Sequence, residues 1–203
     1  MKTNSYRKMA QRLFEHASAQ GGYFTTKQAR EAGYASSTHS YNVKAKNWVR
    51  EHRGVYRLAD YPHPDHPDLI EWSLWSSDRK EKPQGVYSHQ TALRLYDLSD
   101  VEPVKIHMTV PPDFRRSGPI PKVLVLHRAA LQKEDLEAMH GFTATRPLRT
   151  IADLLASEAV SMDHMEQAVK QAFQRGLVTA SQIERAERIP EPIKEKIERL
   201  RKA

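Results

Sequence analysis

The chain has 203 residues, 39% hydrophobic and 28% charged, which suits one large core or two small ones and argues against disorder. It contains no cysteine, so disulfides, thiolate metal sites and cysteine nucleophiles are excluded and a cytoplasmic location is expected. No apolar run reaches the length of a signal peptide or a membrane span, so no membrane association is expected. The net charge of +7 is unevenly placed: residues 1–58 hold eleven Lys and Arg against Glu15, Glu31 and Glu51, a net +8, and the remainder sums to −1. Such a concentration of positive charge is what neutralises the phosphates of a polyanion.

Within this basic segment Tyr6, Met9, Leu13 and Ala17 recur at helical spacing and predict a first helix that ends at Gly21-Gly22. Thr25 and Gln28 have capping-box spacing and open a short second helix that ends by Gly33. Ser36 and Ser37 are placed to cap a third helix, and Trp48 to Leu58 reads as a two-stranded hairpin turning at Arg53-Gly54. Three helices and a hairpin make a winged helix-turn-helix over residues 1–60. Its third helix is the one that would enter a major groove. With Tyr41 and Ala45 facing inward, that helix would present Ser36, Ser37, Thr38, His39, Ser40, Asn42 and Lys46 to DNA. An amide such as Asn42 pairs with adenine, and Lys44, Lys46, Arg50 and Arg53 would neutralise backbone phosphates.

Residues 61–68, YPHPDHPD, are expected to be a linker, because prolines hold the stretch extended. Its His63 and His66 lie among acids but lack zinc-type helical spacing, so no metal and no cofactor are expected. Beyond it, residues 69–203 read as an α+β domain with a helical C-terminus. Helices are predicted at Leu69–Asp78 and after a Ser88 cap, followed by a strand alternating at Val104, Ile106, Met108 and Val110 and a buried-type strand at Lys122–His127. Further helices are predicted at Glu134–Met139, Pro147–Ser157 and Met162–Arg175, and near a capping box at Ser181 and Glu184.

The residues from Gly22-Tyr23-Phe24-Thr25-Thr26 to Arg53-Gly54-Val55-Tyr56-Arg57-Leu58 resemble the head of AbiEi-type antitoxins. The runs Ser88-His89-Gln90-Thr91-Ala92-Leu93, Leu98-Ser99-Asp100, Ile106-His107-Met108-Thr109-Val110-Pro111 and Thr145-Arg146-Pro147-Leu148-Arg149-Thr150-Ile151-Ala152-Asp153-Leu154 resemble that family's second domain. The resemblance implies a type IV toxin-antitoxin protein of abortive infection. Its winged head would repress its own operon at inverted-repeat double-stranded operator DNA. Its second domain would counter a nucleotidyltransferase toxin without a stable complex. The third helix has no family motif to match, so its DNA contacts rest on chemistry alone.

Four polar positions of the second domain are candidates for antitoxin activity: His89, His107, the Arg146 and Arg149 pair, and Asp153. Arginines around a proline-started helix N-terminus suit an anion, whereas Arg149 with Asp153 at i, i+4 equally suits a structural pair. Three alternatives stand beside the antitoxin: a plain winged-helix regulator without a toxin, a scaffold using the C-terminal helices, and a DNA-directed nuclease. The nuclease would need an acid and a Glu-x-Lys set on a strand, and neither predicted strand supplies it, so no enzyme activity is expected.

Overall fold

In the computed structural model, which describes residues 2–203, α1 (Lys2–Ser18) buries Leu13 and Ala17 while Tyr6 and Phe14 of the same helix stay half exposed. Gly21 and Gly22, both at positive φ, turn the chain into β1 (Tyr23–Thr25). α2 (Thr26–Glu31) opens on the expected capping box: Thr25 Oγ1 accepts from the Gln28 amide at 3.1 Å, and Gln28 Oε1 accepts from the Thr25 amide at 2.8 Å. α3 (Ser36–Lys44) starts one residue earlier than a serine cap would require, since Ala35 is the cap and offers no side-chain acceptor. β2 (Trp48–His52) and β3 (Val55–Leu58) form the hairpin, and β1 joins it to give a three-stranded sheet in the order β1-β3-β2. The three helices and this sheet are a winged helix-turn-helix, and the chain as a whole is α+β.

The first compact unit does not stop at residue 60. It runs to Gly85 and takes in Ala138–Thr143. The 61–68 stretch is packed rather than free. A side chain at Gly22 would meet the Tyr61 ring at 2.5 Å, and the Tyr61 hydroxyl donates to the Ser18 carbonyl at 3.3 Å. α4 (Pro67–Trp75) then buries Leu69, Ile70 and Leu74, with Ile70 only 1% exposed. Gly21 and Gly141 leave the room that Ile70 fills: an added Cβ would stand 2.6 and 2.9 Å from its side chain. Apolar side chains after the proline-rich segment are therefore buried within the first unit instead of starting the second one.

The second unit holds β4 (Val86–Tyr87), α5 (His89–Leu95), β5 (Ile106–Val110), β6 (Leu124–Arg128), β7 (Leu136–Ala138) and β8 (Thr143–Thr145), whose hairpin turn belongs to the first unit. The strands lie in the order β6-β5-β4-β8-β7, with β5 parallel to β6, β4 parallel to β8, and β4 antiparallel to β5. α6 (Pro147–Ser157), α7 (Met162–Gln174), α8 (Ala180–Arg185) and α9 (Glu191–Lys202) follow. Their apolar stripes meet α5 in a core of residues such as Leu93, Ile151, Leu154, Met165, Val169 and Ile197.

Three local expectations are corrected. Val104 is 95% exposed because the strand begins only at Ile106, and β6 is a half-buried edge strand rather than a fully buried one. Residues 134–139 are not a helix, since a single 3-10 turn at Lys133–Asp135 leads into β7, whose pairing with β8 overrides local helical preference. The last capping box is Thr179 with Gln182, two residues before the expected Ser181 and Glu184.

All three tryptophans, Trp48, Trp72 and Trp75, lie in the first unit, so indole fluorescence reports that unit alone. Ile70→Ala in the full chain is expected to lower the urea unfolding free energy seen by tryptophan by about 2–5 kcal/mol. A loss below about 0.5 kcal/mol, the range of an ordinary surface substitution, would show that α4 is not part of the first core.

Candidate nucleic-acid interface

Trp48 fixes which face of α3 looks outward. Its ring lies 4.9 Å from Phe24, 5.0 Å from Tyr34, 5.4 Å from His39 and 5.8 Å from Tyr56, centroid to centroid, so the root of the wing and the inner face of α3 share one aromatic cluster. His39 is drawn into it and is only 5% exposed, and burial pushes its imidazole below the ordinary value. One turn on, Asn42 is 3% exposed and its amide is spent internally. It donates to the Thr38 carbonyl at 2.9 Å and accepts from the Asn47 amide group at 3.1 Å. The expected phase of α3 is thus reversed: His39 and Asn42 face inward, and Tyr41, at 68% exposure, and Ala45 face outward. His39 and Asn42 are not positioned to read bases.

What α3 does present is Ser36, Ser37, Thr38, Ser40, Tyr41 and Lys44, all exposed. Thr38 is partly engaged, donating from Oγ1 to the Ala35 carbonyl at 2.7 Å. Lys46 lies just past the helix, exposed and in the left-handed region at φ 59°. The wing adds Arg50 and Arg53, both exposed, with Gly54 at φ 87° making the tight turn. Arg57, on the same hairpin, is different: it is 8% exposed and its Nε donates to Glu51 at 2.9 Å. Glu51 is the sole acid between residues 36 and 58, and this pair occupies it. Among the described residues no ion pair engages Lys44, Lys46, Arg50 or Arg53, so their charge is available to a polyanion. Tyr41 was missed at the sequence level. The available signal was its position between Ser40 and Lys44, on the stripe that Ser37 begins.

The second-unit candidates form two groups. Arg149 is clamped between Asp153, at 2.8 Å, and Asp135, at 3.1 Å, and Arg146 pairs with Glu137 at 3.2 Å and donates to the Leu136 carbonyl at 2.8 Å. The protein's own carboxylates thus hold Arg149 on two sides, whereas Arg146 meets Glu137 at the surface, with its side chain 52% exposed. Burial pushes Asp153 up, and Arg149 opposes the shift. His89 and His107 instead belong to a three-imidazole cluster with His127, which the sequence reading missed. The His89 and His127 rings stack at 3.5 Å, and His107 Nδ1 lies 3.1 Å from His127 Nε2. Ser88 Oγ contacts His89 Nδ1 at 2.9 Å and accepts from Thr109 at 2.8 Å. His89 holds φ at +52°, a left-handed backbone that costs a non-glycine residue about 1–2 kcal/mol. Packing of the ring sustains it.

Burial, with the neighbouring imidazoles and Arg149, pushes His89 down to about 3, and burial with His127 and Lys105 pushes His107 down to about 4. Both shifts favour the uncharged imidazole at neutral pH, so His89 and His107 do not make a cationic site. The chain's similarities agree with the head. Residues 11–59 match the family model described as transcriptional regulator, AbiEi antitoxin. No curated protein matches the chain. The crystal structure of the RV2827C protein from Mycobacterium tuberculosis is similar at a TM-score of 0.59 and 14% identity, covering 96% of this chain and 76% of that one, a likeness of fold. No helix of the described residues is long and apolar enough to cross a membrane.

Imidazoles held below their unfolded value take up more protons when the chain unfolds, so stability is lost as pH falls from the ordinary histidine range of about 6.5 toward the folded values. Urea unfolding followed by far-ultraviolet dichroism between about pH 7 and about pH 5 should show this loss, and His107→Gln should reduce its slope. An unchanged slope in that variant would remove the cluster as its origin.

Proposed function

We propose, from the premise that residues 11–59 carry the head of the AbiEi antitoxin transcriptional regulators, that this chain is a DNA-binding antitoxin that represses its own type IV toxin-antitoxin operon. One observation carries the DNA part: the outward face of α3 and the wing offer hydroxyls, one aromatic ring and unpaired cations, and the one acid within residues 36–58, Glu51, is paired with Arg57. Ser36, Ser37 and Ser40, near the helix N-terminus, are the side chains that would reach base edges or phosphates, and Tyr41 would pack against a base or sugar. Lys44, Lys46, Arg50 and Arg53 neutralise phosphates, which holds the head on the duplex without choosing a sequence.

The cognate toxin, of nucleotidyltransferase type, is countered by the second unit, which has a core cluster of its own and in which Arg149 is held between Asp135 and Asp153. The chain works without catalysis: its second sheet carries one acid, Glu137, and that is paired with Arg146. A nuclease needs two free carboxylates at a strand end. The plain regulator differs only in lacking a toxin. The product of the neighbouring gene decides between them.

Two outcomes test this. In gel shifts with the duplex upstream of the chain's own gene, Lys44→Ala and Arg53→Ala should each weaken operator and random DNA alike and reduce the salt slope by about one, whereas Ser40→Ala and Tyr41→Ala should cost affinity mainly on the operator. Equal losses on both DNAs for all four would contradict the assignment of readers and clamps. In cells expressing the toxin, the Lys44→Ala, Arg53→Ala double variant should lose promoter repression yet still restore growth. Loss of rescue at normal abundance would contradict the separation of roles.

A further inference from the structure

α4 lies outside the family match and outside the DNA-contacting surface, yet it touches the wing. On β2 the ladder shifts register between Arg50 and His52, so His52 follows a bulge and directly precedes Arg53. The His52 imidazole Nε2 lies against the Glu71 carboxylate of α4, and its ring is 4.4 Å from Trp72, one residue along that helix. The Glu71 side chain is 16% exposed and that of His52 37%. The charged and titratable groups around Glu71 come from every element packed there: Glu51 and His52 of β2, Arg57 of β3, Tyr23 of β1 and Asp68 of α4 itself. Arg57 is committed to Glu51 at 2.9 Å, which leaves His52 as the partner Glu71 touches.

We infer that Glu71 is a positioning residue for the wing, and that its contact with His52 couples DNA binding to uptake of a proton. This rests on the reading of the head as a DNA-binding unit. Burial beside Glu51 and Asp68 pushes the Glu71 carboxyl up to about 7, so the contact changes its proton content near neutrality. With the proton present, the pair keeps His52 against α4 without surplus negative charge. With it gone, Glu71 adds a negative charge to those of Glu51 and Asp68 and sets it against His52, the residue that precedes Arg53, and DNA phosphates approaching Arg50 and Arg53 would add to that negative potential. The bound state therefore holds the proton more tightly than the free one. By linkage, affinity rises as pH falls through the window between the free and bound values, by at most about tenfold per pH unit for one proton.

The test is fluorescence anisotropy of the full chain with a labelled duplex from upstream of its own gene, at fixed ionic strength, from about pH 8 to about pH 6. Wild type should bind several-fold more tightly at the acid end. Glu71→Gln keeps the side-chain shape without the titration, so it should bind at the alkaline end nearly as well as wild type does at the acid end, with a flattened profile. His52→Gln should flatten it too. Tryptophan fluorescence melts verify folding, and Glu71→Leu replaces the amide if that variant unfolds. A pH slope in folded Glu71 variants equal to that of wild type overturns the inference, as does a flat wild-type profile. Absence of binding at every pH would instead overturn the DNA-binding reading beneath it.

Discussion

The contact between Trp48 and the inner face of α3 governs what this molecule can touch. A helix nine residues long with serines, histidine, tyrosine and asparagine has little intrinsic reason to choose a rotational phase. The aromatic cluster chooses it. Once His39 fills the space between Trp48 and Tyr56, Asn42 must follow it inward one turn later, and Tyr41 and Lys44 must face outward. The wing shares Trp48 and Tyr56 with the same cluster, so reader helix and wing are oriented by one set of rings rather than separately.

Where each charged side chain finds its partner separates the two kinds of site. Arg57, Arg146 and Arg149 each meet a carboxylate within 3.2 Å, and those guanidinium groups hold strands and helix ends together. Lys44, Arg50 and Arg53 stand on exposed positions without such a partner among the described residues. A lysine or arginine that is already paired gains little from a phosphate, because the existing pair must be broken first. Four of the eleven cations of the first 58 residues, Lys44, Lys46, Arg50 and Arg53, therefore stand exposed and, among the described residues, unpaired along α3, just past its end and on the wing. In the second unit the same logic has Arg149 clamped between two carboxylates, and leaves three clustered imidazoles as the remaining unusual feature.

The parts that were legible from sequence were those decided within a few residues. The Thr25 and Gln28 capping box, the Gly54 turn and the proline-started α6 depend on local backbone chemistry and stand where the sequence puts them. The phase of α3 was not legible, because Tyr41 and His39 are equally good aromatic candidates for an inward position until Trp48 and Tyr56 are brought beside them by the hairpin. The packed segment at 61–68 misled for a related reason: prolines exclude regular structure but do not exclude burial, and Tyr61 covers Gly22. Residues 134–139 had helical composition, yet β8 lies beside them and pairs. His127 entered the cluster through the parallel pairing of β5 with β6, a contact between strands fourteen or more residues apart that no local pattern announces.

The account stands on the outward phase of α3, and the absence of cysteine allows that phase to be read directly. Single cysteines placed at Ser40 and at His39 would be labelled with a small thiol reagent, in the free chain and with saturating operator duplex. The structure predicts rapid labelling at position 40 that DNA suppresses by an order of magnitude or more, and slow labelling at position 39 in both states. Rapid labelling at 39, or labelling at 40 that DNA leaves unchanged, would contradict it.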